Sequence, residues 1–427
     1  MSAFNPGVAR REVWAWAMYD FANSGYTTVI LTAVFSTYFV SVVAGGQTWG
    51  TFAWTCALSA SYLAVMLTMP LLGARADARG AKRRLLFSST IGCIVTTACL
   101  AFVGPGNIAL ALVAIAISNY CYCVGESAVA SFLPELARPE ALGRVSGWGW
   151  GFGYFGGMLT LGVALFIVTQ ASAAGHGAAQ YVPWVVATTC VVFALAAIPS
   201  FLLLKERAVP AGVAPALPAM LSRLRASWRD VGQNYPEFRS FLFCVATYQA
   251  GISVVITLSA VYAERAMGFT MPQIMMLIFL VNIAAAIGAF SFGHVQDRLG
   301  HRLALAVTLI GWIVMVGVAY VAVTPGVFWV AATLAGLCMG SSQSAGRAMT
   351  GALAPTPRIS EFYALWTFAV QLAAVVGPLS YGAVSWITGG NHRQAILVCG
   401  LFFVVGLLLL LRVNMKRGLA RQAQVSG

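Results

Sequence analysis

A chain of 427 residues that is 60% hydrophobic and only 9% charged, with a mean hydropathy of +0.83, has too few charges to coat a water-facing surface of its size. Soluble domains run nearer about 25% charged, so lipid must solvate much of this molecule and a soluble protein is excluded. The formal charge of +13 would raise nucleic acid as a partner if the chain were soluble; the placement of the charges gives it a different cause.

Residues 1–11 are polar and basic, and the apolar stretch after them carries no small-residue cleavage site, so no cleavable leader is expected. Apolar runs bounded by breakers then predict twelve helices of spanning length. The first six cover 14–43, 51–72, 85–103, 108–133, 145–169 and 182–204. The last six cover 241–262, 271–292, 303–323, 327–353, 362–386 and 395–412. Helices are expected rather than strands because each span must satisfy its own backbone groups, and these runs are too long and too uniformly apolar for barrel strands. Between the two sets, 205–240 is rich in Pro, Ala and Arg and reads as a linker, amphipathic near 220–231. The expected organisation is a six-helix half over 1–204, the linker, and a second half with a short tail over 241–427.

Alternate connections hold the basic residues. Arg10 and Arg11 precede the first span; Arg75, Arg79, Lys82, Arg83 and Arg84 follow the second; Arg138 and Arg144 follow the fourth. The linker holds Lys205, Arg207, Arg223, Arg225, Arg229 and Arg239, and the later connections and tail hold Arg298, Arg302, Arg358, Arg412, Lys416, Arg417 and Arg421. That places 22 of the 25 basic residues on one side, leaving Arg265 and Arg393 opposite and Arg347 inside a span. The positive-inside rule makes that side, with both termini, cytoplasmic. It accounts for the net charge without a nucleic-acid partner.

The chain also repeats itself. After the second span stands Gly73-Ala-Arg-Ala-Asp77-Ala-Arg79-Gly80, and after the eighth stands Gly293-His-Val-Gln-Asp297-Arg298-Leu-Gly300. Both fit G-x-x-x-D-x-x-G with basic residues close behind. Phe132-Leu-Pro134 and Leu353-Ala-Pro355 are a weaker echo at the ends of the fourth and tenth spans. A signature shared by two sets of six spans indicates parallel repeats related by an axis along the membrane normal. Glycines let helix ends approach and turn, and an Asp at a helix boundary can meet a helix N-terminus or an Arg. Asp77 and Asp297, with Arg79 and Arg298, are therefore candidate clamps that hold the cytoplasmic ends together in one state and release them in the other.

The doubled loop motif resembles that of the major facilitator superfamily over the whole chain. The resemblance implies an all-α membrane fold of two parallel six-helix halves that rock about a central site. It also implies that the first, fourth, seventh and tenth helices line that site. A narrower resemblance rests on Asp20-Phe-Ala-Asn23-Ser-Gly-Tyr26, on Gln343-Ser-Ala-Gly-Arg347, and on Pro355 with Glu361-Phe-Tyr363. These segments are similar to fungal vacuolar amino-acid effluxers and their bacterial relatives. That branch implies efflux of amino acids or related small solutes from a bacterial cytoplasmic membrane.

Charged groups inside spans are costly and default to functional candidates. Asp20, Glu126 and Arg347 are the three, all on helices of the lining set. Asp20 sits beside Asn23 and is read either as part of a polar wall or as an Asp satisfied by the first helical turn. Glu126 and Arg347 each lie eight residues before the proline that closes their helix, about 12 Å deep at 1.5 Å per residue. Equal depth leads us to expect that they approach each other as an inner gate, with Arg347 free to take a substrate carboxylate when they part. The plainer reading is a permanent ion pair. Gln343 and Ser344 could hydrogen-bond a zwitterion, whereas Gln249 and Asn282 are as readily interhelical glue.

Gly151-x-Gly153-x-x-Gly156 matches a dinucleotide fingerprint in letters alone: no strand precedes it, and the next acid is Glu206. Gly149, Gly153 and Gly157 instead form a small-x-x-x-small packing stripe, and Gly377-Pro378 with Gly382 reads as a bend. The nine cysteines lie in apolar runs with no C-x-x-C, and the four histidines show no metal-ligand spacing, so neither metal nor cofactor is expected. The resulting expectation is a monomeric secondary transporter, not an enzyme. Its partners are a small-molecule substrate and the bilayer, driven by the solute gradient or by protons at Asp20 or Glu126. A non-transporting receptor or scaffold, or a carrier of sugars, nucleosides or drugs, is the alternative.

Overall fold

The computed structural model describes residues 3–47, 49–207, 220–269, 271–389 and 391–426. Among these residues are twelve helices long and apolar enough to cross a membrane. In the first half these are α1 (Arg10–Val43), α2 (Trp49–Arg79), α3 (Lys82–Phe102), α4 (Ile108–Ala130), α5 (Leu142–Ala173) and α6 (Ala178–Leu203). In the second half they are α7 (Pro236–Met267), α8 (Met271–Leu299), α9 (His301–Val321), α10 (Pro325–Leu353), α11 (Ile359–Ile387) and α12 (His392–Arg412). A linker helix, Met220–Asn234, contains the predicted amphipathic segment, while linker residues 208–219 lie outside the described residues.

Each half buries its own apolar cluster, and the lipid side carries large hydrophobics such as Phe52, Phe166, Leu202 and Ile387 in the open. The halves meet mainly where α5 packs on α8 and α10, and where α2 packs on α11, with a smaller contact of α4 on α11. We call the side of the molecule that carries the ends of α2, α4, α8 and α10 the terminal face, since α1 begins and α12 ends there.

Two features depart from the sequence reading. The repeated motif lies mostly within helix, since α2 runs to Arg79 and α8 to Leu299. The apolar pattern stops near residues 72 and 292, but backbone pairing continues through the polar turns. The first span is not uniform either. Its α-helix ends at Gly25, and wider π-turns follow over Tyr26–Ala33 and Phe39–Val43. Such turns concentrate at functional sites, and this one begins directly after Asp20 and Asn23.

Candidate functional site

The site is assembled at the seam between the halves. Arg347 on α10 is 2% exposed. Its Nη1 donates to Asp20 Oδ2 of α1 at 2.7 Å, its Nη2 to the Ser146 carbonyl of α5 at 2.9 Å, and its Nε to Ser146 Oγ at 3.2 Å. The guanidinium also lies 4.7 Å from the ring centre of Trp16 and 5.4 Å from that of Trp150. A guanidinium has five N–H donors in a planar fork; here two aromatic faces and three acceptors, all from α1 and α5, offset its loss of water. Trp16 is fixed in turn by donating Nε1–H to the Val129 carbonyl at 2.8 Å, and Tyr363 Oη donates to the Arg347 carbonyl at 2.9 Å.

The seam stays tight because α5 is bare where it meets α1. A Cβ on Gly149 would strike Asp20 Oδ2, Arg347 Nη2 and the Trp16 ring; one on Gly153 or Gly157 would meet Ser24 or Thr28. The stripe read from the sequence therefore faces α1 and leaves the volume that the ion pair occupies. Gly149→Ala should displace the pair, with overpacking worth about 1–3 kcal/mol, and cut transport at least tenfold. Gly162→Ala, where an added Cβ meets nothing within 4 Å, should leave both unchanged. Initial transport rates and thermal unfolding of the two variants check this.

Glu126 does not pair with Arg347. Asp20 and Asn23, one turn apart on α1, lie where the two side chains would have met. Asp20 takes the arginine, and Asn23 Nδ2 donates to Glu126 Oε1 at 2.6 Å. Equal spacing from the closing prolines carried no information about which side chains each group would meet. Glu126 remains partly exposed. Gln249 Nε2 donates to Gln343 Oε1 at 2.7 Å, linking α7 to α10 on the same inner side. Ser344 is buried in the α5–α10 seam, its carbonyl accepting from Ser146 Oγ at 2.8 Å, and Asn282 back-bonds its own helix at Ile278. Neither belongs to the site.

The repeated motif closes the terminal face twice. Asp77, at the end of α2, accepts the Ser360 and Glu361 backbone N–H groups at 3.1 and 2.9 Å, capping α11 of the other half. Asp297, at the end of α8, accepts those of Gly143 and Arg144 at 2.9 and 3.2 Å, capping α5. Each half thus lends an Asp to a helix N-terminus of the other, where unpaired N–H groups and the helix dipole favour an anion. The glycines have separate duties. A Cβ on Gly73 or Gly293 would collide with the capped helix, at the Ser360 or Gly143 carbonyl. Gly80 and Gly300, with φ of 59° and 86°, end the helices in the left-handed region where glycine is favoured.

Arg79 and Arg298, expected in the clamps, are exposed and form no ion pair among the described residues. The cations beside the aspartates are Lys82, which bonds Glu135 at 2.7 Å and stands 3.9 Å from Asp77, and Arg144, 3.5 Å from Asp297. The linker helix reinforces one clamp: Ser227 donates to Glu361 at 2.5 Å, and Arg358 bridges Glu361 and Asp230.

Sequence reading missed Ser146, Trp16 and Trp150 as partners of Arg347. Ser146 stands at what the apolar pattern marks as a helix boundary, and the tryptophans look like ordinary lipid-facing aromatics. Only the place of Trp150 within the Gly stripe hinted at more.

Comparison with known proteins agrees with this architecture. A family model described as "Vacuole effluxer Atg22 like" matches residues 50–423. An uncharacterized MFS-type transporter of Bacillus subtilis, YxiO, is 24% identical over 405 residues, 93% of each chain. Autophagy-related protein 22 of Cryptococcus neoformans is 26% identical over 222 residues, which cover 46% of this chain and 40% of the fungal protein. Among solved structures, the human organic anion transporter MFSD10 superimposes with a TM-score of 0.74 at 16% identity, covering 94% of this chain and 99% of that one. That likeness is one of fold.

Proposed function

The chain belongs to the vacuole effluxer Atg22-like family within the major facilitator superfamily, and we propose from this that it exports amino acids or related small solutes by alternating access. The observation that carries the mechanism is the Asp20–Arg347 pair. It ties α1 and α5 of one half to α10 of the other, at about 9–15 Å from the terminal face at 1.5 Å per residue. The two Asp caps close the same face below it. Positive-inside placement of Lys and Arg makes that face cytoplasmic, so the described state is closed to the cytoplasm.

To load solute from inside, the halves must part at α2–α11 and α5–α8, and the Asp20–Arg347 contact must break with them. Asp20, Asn23, Glu126, Gln343 and Arg347 form the site; Asp77 and Asp297, with Gly73, Gly80, Gly293 and Gly300, form the clamps. Residues 1–204 and 241–427 are the moving bodies, and 205–240 the tether between them. The protein acts as a monomer in a bacterial inner membrane. It is driven by the solute gradient or by protons exchanged at Asp20 or Glu126.

The test is uptake of each labelled amino acid into proteoliposomes, alongside ligand-dependent thermal stabilisation with amino acids, dipeptides, sugars and nucleosides. An amino acid that both stabilises the protein and is carried, with carriage lost in Arg347→Gln, is the expected result. Stabilisation by a sugar or nucleoside alone would overturn the amino-acid assignment.

A further inference from the structure

We propose that the transported solute is anchored by a cationic ammonium group at Glu126, and that a substrate carboxylate on Arg347 is not required for binding. This rests on the exporter reading above and narrows its substrate class.

In the described state Arg347 has little left to offer. Three of its N–H groups are engaged by Asp20 and Ser146, two tryptophan faces cover the guanidinium, and the residue is 2% exposed. The unsatisfied capacity of the site lies on its acceptors. Asp20 is 4% exposed and its Oδ1 accepts no hydrogen bond. Glu126 gives one oxygen to Asn23, and among the described residues no hydrogen bond reaches the other, though the side chain is partly open. With both acids ionised, two carboxylates beside one guanidinium carry one net negative charge, whose attraction for a cation inside the membrane is strong.

The surroundings suit an organic cation. Tyr122 is one turn from Glu126 on α4 and stacks with Tyr26 at 5.3 Å. Aromatic faces attract ammonium groups. A cation seated at Glu126 would also stand within electrostatic reach of Asp20 and weaken its hold on Arg347. A cation bound at Glu126 therefore favours the state in which that contact is broken, the state that loads from inside.

The experiment uses the full-length protein and, for each of the twenty amino acids, three probes: the parent, its primary amide and its N-acetyl derivative. Binding is read by thermal stabilisation and by competition in proteoliposomes. For a bound amino acid, the amide should compete within about tenfold of the parent, while the acetyl derivative weakens about 10–100-fold, the loss of one charge-assisted hydrogen bond. Glu126→Gln keeps the acceptor for Asn23 and should remove that preference. Amides that bind while no amino acid does would support the ammonium anchor and overturn the amino-acid reading. Acetyl derivatives that bind as well as the parent, with inert amides, would overturn the anchor and leave that reading standing. Equal binding of all three forms, as expected if a proton and not the solute neutralises Glu126, overturns the anchor as well. No binding of any probe overturns both.

Discussion

Arg347→Gln should abolish transport and lower stability by about 3–5 kcal/mol, the usual cost of leaving one member of a buried ion pair behind. Asp20 would keep its burial and lose its one strong partner among the described residues, where Oδ1 already has none. Asp20→Asn in the same chain should restore most of the thermal loss, because the stranded charge is gone, but should restore no transport. Arg347→Lys should fail too: an ammonium cannot reach Asp20, Ser146 Oγ and the Ser146 carbonyl together, as the planar fork does. Thermal unfolding in detergent and transport in proteoliposomes measure the two effects separately. A single mutant with wild-type unfolding and wild-type rate would contradict the pair's role.

The second large effect is expected at the terminal face. Asp77→Asn with Asp297→Asn should shift the population toward the state open at that face. A neutral amide removes the charge facing each helix N-terminus and weakens two backbone hydrogen bonds per clamp. At about 1–2 kcal/mol per cap, the double variant moves the equilibrium by roughly 30–1,000-fold. Spin labels at Arg79→Cys and Arg298→Cys, both exposed and on opposite halves, report it in a chain whose exposed Cys56 is replaced by Ser. The distance distribution should broaden and lengthen in the double variant. The single variants should fall between, since the caps are related by the repeat and act on the same separation. An unchanged distribution, with unchanged unfolding, would mean that the halves are held elsewhere.

Much of the fold is legible in the chain because the bilayer leaves few choices. Runs of about 20 apolar residues must be helices. The bias of Lys and Arg orders their ends, and the recurrence of Gly73–Gly80 at Gly293–Gly300 reveals the duplication. The duties of the motif glycines were half legible. A turn and a close approach are generic properties of glycine, but only the structure shows that Gly73 and Gly293 admit the other half's helix while Gly80 and Gly300 stop their own. The sequence also located the costly charges, since Asp20, Glu126 and Arg347 interrupt apolar spans whatever they contact.

What pairs with what was decided by tertiary structure. Local sequence encodes depth along a helix through a constant rise per residue, so Glu126 and Arg347 could be placed at one level. It does not encode rotation or which helix intervenes, and α1 places Asp20 and Asn23 between them. Arg79 and Arg298 followed the motif by spacing, yet they project outward, and Lys82 and Arg144 stand beside the aspartates. Ser146, Trp16 and Trp150 converge on Arg347 only because Gly149 lets α5 lie against α1. Composition, periodicity and repetition are summed along the chain, so the sequence alone determined the medium, the span count and the twofold design. The ion pair, the exchanged caps and the open carboxylate at Glu126 depend on side-chain direction across packed helices, which only the assembled bundle sets.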